Sequence, residues 1–103
     1  MIVQKIIQDK LNGRFKVTYL SVENESHNHS VPANSETHFK VTIVCEEFDG
    51  MRLIMRHRLI NELLAEQLAG PVHALAIHAY TPTQWAEKNN ISPESAQCMG
   101  GSK

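Results

Sequence analysis

Histidine is the main reactive residue type in this chain, at positions 27, 29, 38, 57, 73 and 78. Imidazole changes charge near neutral pH. It also binds borderline metals through one ring nitrogen while the other takes a neighbouring partner. His29, with His27 two residues before it, and His73 are the candidates for such a role. Read alone, His27-x-His29 also fits an ordinary polar loop, and His73 a packing residue at a strand start. Two histidines leave a tetrahedral ion two ligands short, so a metal site here would need donors from a partner.

Other chemistry is poorly represented. The chain has no Gly-rich phosphate loop, no Cys-x-x-Cys, no His-Glu-x-x-His and no Gly-x-Ser-x-Gly. Glu46-Glu47 and the Glu23/Glu25 pair read as solvated strand ends, because acid–base work needs a carboxylate in a burying pocket. No nucleophile has an evident base, and the chain is not expected to be an enzyme. Cys45 falls in a strand pattern and reads as a small core residue, while Cys98 lies in a weakly apolar tail. A free pair of this kind suits a reducing cytoplasm.

Composition sets the frame. With 103 residues, 42% hydrophobic and 20% charged, the chain can build one core but not two lobes. The expectation is one domain over residues 1–88 and a flexible tail over 89–103. No apolar run approaches the roughly 20 residues that cross a bilayer. The alternating N-terminus does not resemble an export signal. A net charge of −1 argues against strong nonspecific binding to nucleic acid, which depends on phosphate neutralisation.

The elements that must hold the histidines follow from periodicity. Val3, Ile6, Ile7 and Leu11 have helical spacing, and Asn12-Gly13 reads as the stop. Phe15 to Val22 reads as a strand, and Asn24 to Ser35 as a loop long for so small a domain. His38 to Cys45 alternates, with Phe39, Val41, Ile43 and Cys45 on one face and His38, Lys40 and Thr42 opposite. After a turn at Phe48-Asp49-Gly50-Met51, a helix is expected from about Arg52 to Leu68. At 100° per residue, Leu53, His57, Ile60, Leu64 and Leu68 share an arc, which makes His57 a core histidine. Arg56 and Arg58 point about 200° apart, so Arg56-His57-Arg58 is not one basic patch.

Gly70-Pro71 ends that helix. Val72 to Ala79 reads as the third strand, with His73, Leu75 and Ile77 on one face and His78 ambiguous. Thr81-Pro82-Thr83-Gln84 is a helix start with a capping box, and it would bring Trp85 to the sheet edge. The order α-β-β-α-β-α implies an α+β fold. Strands one and two are antiparallel, a right-handed crossover leads to a parallel third strand, and helices lie on one face of a three-stranded mixed sheet.

Over nearly its whole length the sequence resembles the BolA family. The resemblance rests on Asn24-Glu25-Ser26 with His29-Ser30-Val31-Pro32, Ser35 to Val41, Phe48-x-Gly50, Arg56-His57-Arg58-Leu59-Ile60, Val72 to Ile77, Thr81-Pro82 with Trp85, and Cys98-Met99-Gly100-Gly101. It implies a class II KH-like fold. It also implies pairing with a monothiol glutaredoxin to share a [2Fe–2S] cluster, with none expected in the isolated chain. The glutaredoxin would supply its active-site cysteine and a glutathione thiolate. This chain would supply His73 and, by alignment on the following Val-Pro, His29 rather than His27.

The family is also associated with transcriptional control, morphology and stress response. By that resemblance the turn stands where KH domains grip nucleic acid. Phe48, Gly50, Met51, Arg52 and Arg56 would then be the contacts with promoter DNA. Asp49 and Met51 supply no cation to that grip. The primary expectation is a cytoplasmic adaptor in iron–sulfur sensing or trafficking, monomeric or weakly dimeric alone. The rival is a DNA-binding regulator.

Overall fold

The computed structural model describes residues 2–26, 32 and 35–91. His27, His29, Cys98 and most of the expected tail lie outside them. Helix α1 spans Ile2–Arg14 and buries Ile7 and Leu11, with Val3 packed beside them. The expected stop at Asn12-Gly13 is passed, because a further helical bond from the Phe15 N–H to the Leu11 carbonyl (3.0 Å) closes the last turn. Phe15 is therefore a core anchor rather than a strand residue. Its ring sits 5.4 Å from that of Phe48.

Strand β1 (Val17–Asn24) pairs antiparallel with β2 (His38–Cys45), and β2 pairs parallel with β3 (Ala74–Tyr80). The sheet order β1-β2-β3 places β2 in the middle. A bulge between Val17, opposite Cys45, and Tyr19, opposite Val44, turns Tyr19 away from the core while Val17 still packs against it. Phe39, Val41, Ile43 and Cys45 face α1 and the second helix in the main core.

The other face of β2 is buried as well. Tyr19 and Tyr80 flank Val44 in register. Trp85 stacks on both, at 5.1 and 5.5 Å between ring centroids. Further along, Lys40 is buried and pairs with Glu23 at 3.7 Å, and His78 stands opposite Thr42. Trp85 belongs to α4 (Pro82–Glu87), so this last helix lays its ring over the sheet face that α1 leaves uncovered.

The expected helix from Arg52 to Leu68 is two helices, α2 (Leu53–Leu63) and α3 (Ala65–Ala69), broken where Leu64 leaves helical geometry at φ −100°, ψ 21°. Its buried face is also rotated from the expected arc. Leu53 is 58% exposed and His57 only half-buried, whereas Arg56, Ile60 and Leu64 are buried. The cause is Arg56, only 4% exposed. Its Nε donates to the Met51 carbonyl (2.9 Å), and its Nη1 donates to the Ala79 carbonyl (3.0 Å) and Gln84 Oε1 (2.8 Å). Gln84 is itself half of the α4 capping box, accepting the Thr81 N–H at 3.0 Å while its own N–H reaches Thr81 Oγ1 at 3.1 Å. One guanidinium thus ties the turn before α2, the end of β3 and the start of α4.

Two outcomes are expected from this packing. Arg56→Ala takes this donor from the Met51 and Ala79 carbonyls, while Gln84 Oε1 keeps the Thr81 N–H, and should lower the free energy of urea unfolding by about 2–4 kcal/mol, against about 0.5 kcal/mol or less for exposed Arg52→Ala. The second concerns pH. Burial, and then Lys40, hold the His78 imidazolium below its ordinary value of 6.5. The unfolded chain therefore takes up this proton first as pH falls. Stability should begin to drop as pH falls through about 6.5, the unfolded-state value, and go on dropping until the folded His78 is protonated too; His78→Gln should flatten that slope in thermal melts.

Candidate functional site

Parallel pairing brings the beginnings of β2 and β3 to one end of the sheet, and His38 and His73 with them. His38 is the first residue of β2, opposite Ala74. His73 precedes β3 rather than lying within it, so the expected grouping of His73 with Leu75 and Ile77 on one strand face does not form. Instead Thr37 bridges the two segments: its carbonyl accepts the N–H of His73 at 2.7 Å and of Ala74 at 3.2 Å. The His73 side chain is exposed. The His38 and His73 rings meet nearly edge-on, 6.1 Å apart at 75°.

A buried serine holds this end together. Ser26 Oγ accepts the N–H groups of Thr37 (3.0 Å) and His38 (3.2 Å). The Asn24 side chain closes a turn onto the Ser26 N–H (2.9 Å) and reaches the Ser35 carbonyl (2.9 Å). The Glu25 N–H donates to the His38 carbonyl at 2.7 Å. The Asn24-Glu25-Ser26 motif is thus a clamp that fixes both roots of the loop between β1 and β2. An Asn two residues before a Ser is a recognisable turn signal, but its partners at Ser35, Thr37 and His38 are distant in sequence.

Among the described residues, no group of three or more His, Cys, Asp or Glu side chains is placed to hold a metal. His73 is an open donor of the right chemistry for iron, zinc or copper, and it would need donors from beyond those residues. His29, its expected companion, lies outside them.

The expected nucleic-acid contacts occupy the opposite end of the sheet, where β2 leads through a 3₁₀ turn (Glu46–Phe48) into α2. They divide into two groups. Gly50 takes φ +78°, which only glycine adopts without strain. Met51 is half-buried and Arg52 is exposed. Phe48, by contrast, is fully buried against Phe15, and Arg56 lies over its ring at 5.6 Å. These two of the five expected DNA contacts are interior, because the turn is held from inside by the residues taken for its grip.

Cys45 is a core residue as expected. Burial pushes its thiol up, and Sγ accepts the Glu47 N–H at 3.4 Å.

Comparison with known proteins agrees with this geometry. The family model for BolA-like protein matches residues 11–84. The chain is 52% identical over 101 residues to the DNA-binding transcriptional regulator BolA of Vibrio cholerae, covering 98% of this chain and 95% of the relative. It is 50% identical to BolA-like protein 1 of Mus musculus over 98% of this chain and 73% of that one. The solution structure of mouse BolA1 superposes with a TM-score of 0.83 at 49% identity, over 97% of this chain and 80% of that structure. No helix among the described residues is long and apolar enough to cross a membrane. The clamped loop, the mixed sheet and these relatives place the chain in the BolA family, whose members are non-enzymatic regulators and adaptors.

Proposed function

We propose that this protein is a cytoplasmic adaptor that binds a monothiol glutaredoxin and supplies His73 and His29 to a shared [2Fe–2S] cluster. The observation that carries this reading is the exposed imidazole of His73 on a fixed backbone, beside a clamp that pins both ends of the loop to which His29 belongs. An exposed ligand on a rigid strand start is what a partner-completed centre needs, since its other donors arrive with the partner. Bound there, the cluster would supply a redox-active iron centre, and imidazole in place of thiolate raises its potential. The chain's own part is to present these two imidazoles to the partner.

A second reading is favoured by the printed name of the Vibrio relative, a DNA-binding transcriptional regulator. Here it would use Gly50, Met51 and Arg52. These lie at the end of the sheet away from His73, so DNA and a glutaredoxin could be held together. With one exposed arginine in the turn, affinity for promoter DNA should be modest and steeply salt-dependent. Loss of binding in Arg52→Ala supports this reading, and unchanged binding removes it.

The cluster reading is tested by anaerobic co-purification with a monothiol glutaredoxin, followed by iron analysis and visible circular dichroism. The chain alone should be iron-poor and the complex coloured. His73→Ala and His29→Ala should each change or abolish the cluster spectrum, with His73 the more damaging. Because His73 is exposed, its removal should shift apo stability by no more than about 0.5 kcal/mol. A full complement of iron in the chain alone, or an unaltered spectrum in both variants, contradicts the assignment.

A further inference from the structure

Helix α2 turns an apolar surface to solvent. Leu53, Ile54 and Met55 follow one another in its first turn and are 58%, 64% and 40% exposed. The Arg56 guanidinium takes the inward position and leaves Leu53 outside beside its two neighbours. Single apolar residues scattered over a surface are ordinary, but three large ones side by side mark a contact. From Ile54 the exposed stripe continues through Arg58, Asn61 and Ala65, at spacings of four, three and four residues, along a shallow groove of about 420 Å³. That alternation is the one by which one helix packs along another.

The charges on the stripe select its occupant. Arg58 and Glu62 are exposed one turn apart, yet neither makes an ion pair among the described residues. Arg58 reaches only Met55 Sδ, at 3.9 Å. A cation one turn N-terminal to an anion is the less favourable order against the helix dipole. A partner of one sign meets a like charge at one of these two positions. A second α2 running the opposite way meets neither, because its Glu62 stands level with Arg58 and its Arg58 level with Glu62. In the same register, Ile54 and Met55 of each copy reach the level of Ala65 of the other, whose small side chain leaves room for them. Glu66, next in line, is already paired with Lys10 at 3.1 Å.

We propose that the exposed stripe of α2 is a two-fold, antiparallel contact between two copies of this chain. Arg58 and Glu62 pair across it twice, and Ile54 and Met55 pack at Ala65. The same patch serves on both copies, so the assembly closes at two. One helix pair offers less than the about 800 Å² per partner of a stable complex, so the dimer is weak and depends on concentration. It uses none of the residues assigned above to the cluster or to DNA and stands or falls apart from those readings.

The test is sedimentation equilibrium of the full-length chain, kept in a thiol reductant, from micromolar to millimolar concentration. The chain should pass from monomer to dimer over that range. Arg58→Glu and Glu62→Arg should each weaken self-association about tenfold or more, because each sets like charges face to face twice. An equimolar mixture of the two variants should recover the dimer, since every Arg–Glu pair re-forms between unlike copies. Both positions are exposed, so the variants should fold and melt as the unsubstituted chain does. A chain that stays monomeric at millimolar concentration, a dimer indifferent to both substitutions, or a mixture that fails to recover it overturns the proposal. So does a monomeric chain whose Ile54 and Arg58 amide signals shift on adding glutaredoxin or promoter DNA, which gives this face to that partner instead.

Discussion

The parallel pairing of β2 with β3 is the constraint on which the other features depend. Two parallel strands start at the same end and finish at the same end. Everything before β2 and β3 (the loop roots, Thr37, His38 and His73) therefore gathers at one pole, and everything after them (the Phe48–Met51 turn, Arg52 and the start of α4) gathers at the other. The crossover through α2 and α3 makes this pairing possible. Each pole is closed by one buried polar residue acting on backbone groups from distant segments, Ser26 at the first and Arg56 at the second.

Those two residues differ in what they cost. Ser26 is neutral, and its hydroxyl meets amides that would otherwise lack a strand partner. Arg56 brings a full charge into the interior, which costs several kcal/mol if left without partners. Its partners among the described residues are neutral oxygens at 2.8–3.0 Å, each such bond to a charged donor returning about 1.5–3 kcal/mol. The arginine fixes a geometry, because its three bonds join the turn before α2, the end of β3 and the start of α4. The proposed DNA surface inherits its shape from this buried cation without exposing it.

Local patterns were legible in the sequence. The alternation of β2 and the Thr81–Gln84 capping box follow from neighbouring residues alone, and both form as read. Features set by distant partners were not. Arg56 reads as surface because it is charged, and its acceptors on β3 and α4 stand 23 and 28 positions away. With Arg56 turned inward, Leu53 is carried out to solvent and His57 to the margin of the core, against the helical arc. Trp85 reads as an edge residue because the bulge that turns Tyr19 outward has no sequence mark. At the candidate site, His73 was identifiable through family resemblance rather than spacing. His38 reads from the sequence as a surface or loop-packing residue, because its nearness to His73 is a product of strand register.

The central claim is that this chain's imidazoles ligate a cluster shared with a glutaredoxin. The most direct measurement is pulsed electron paramagnetic resonance on the reduced complex, with ¹⁵N-histidine incorporated only into this chain. The account predicts nitrogen couplings to the cluster that change with the label and are diminished in His73→Ala. A reduced cluster with no coupling sensitive to that label, carried by sulfur ligands alone, would contradict it.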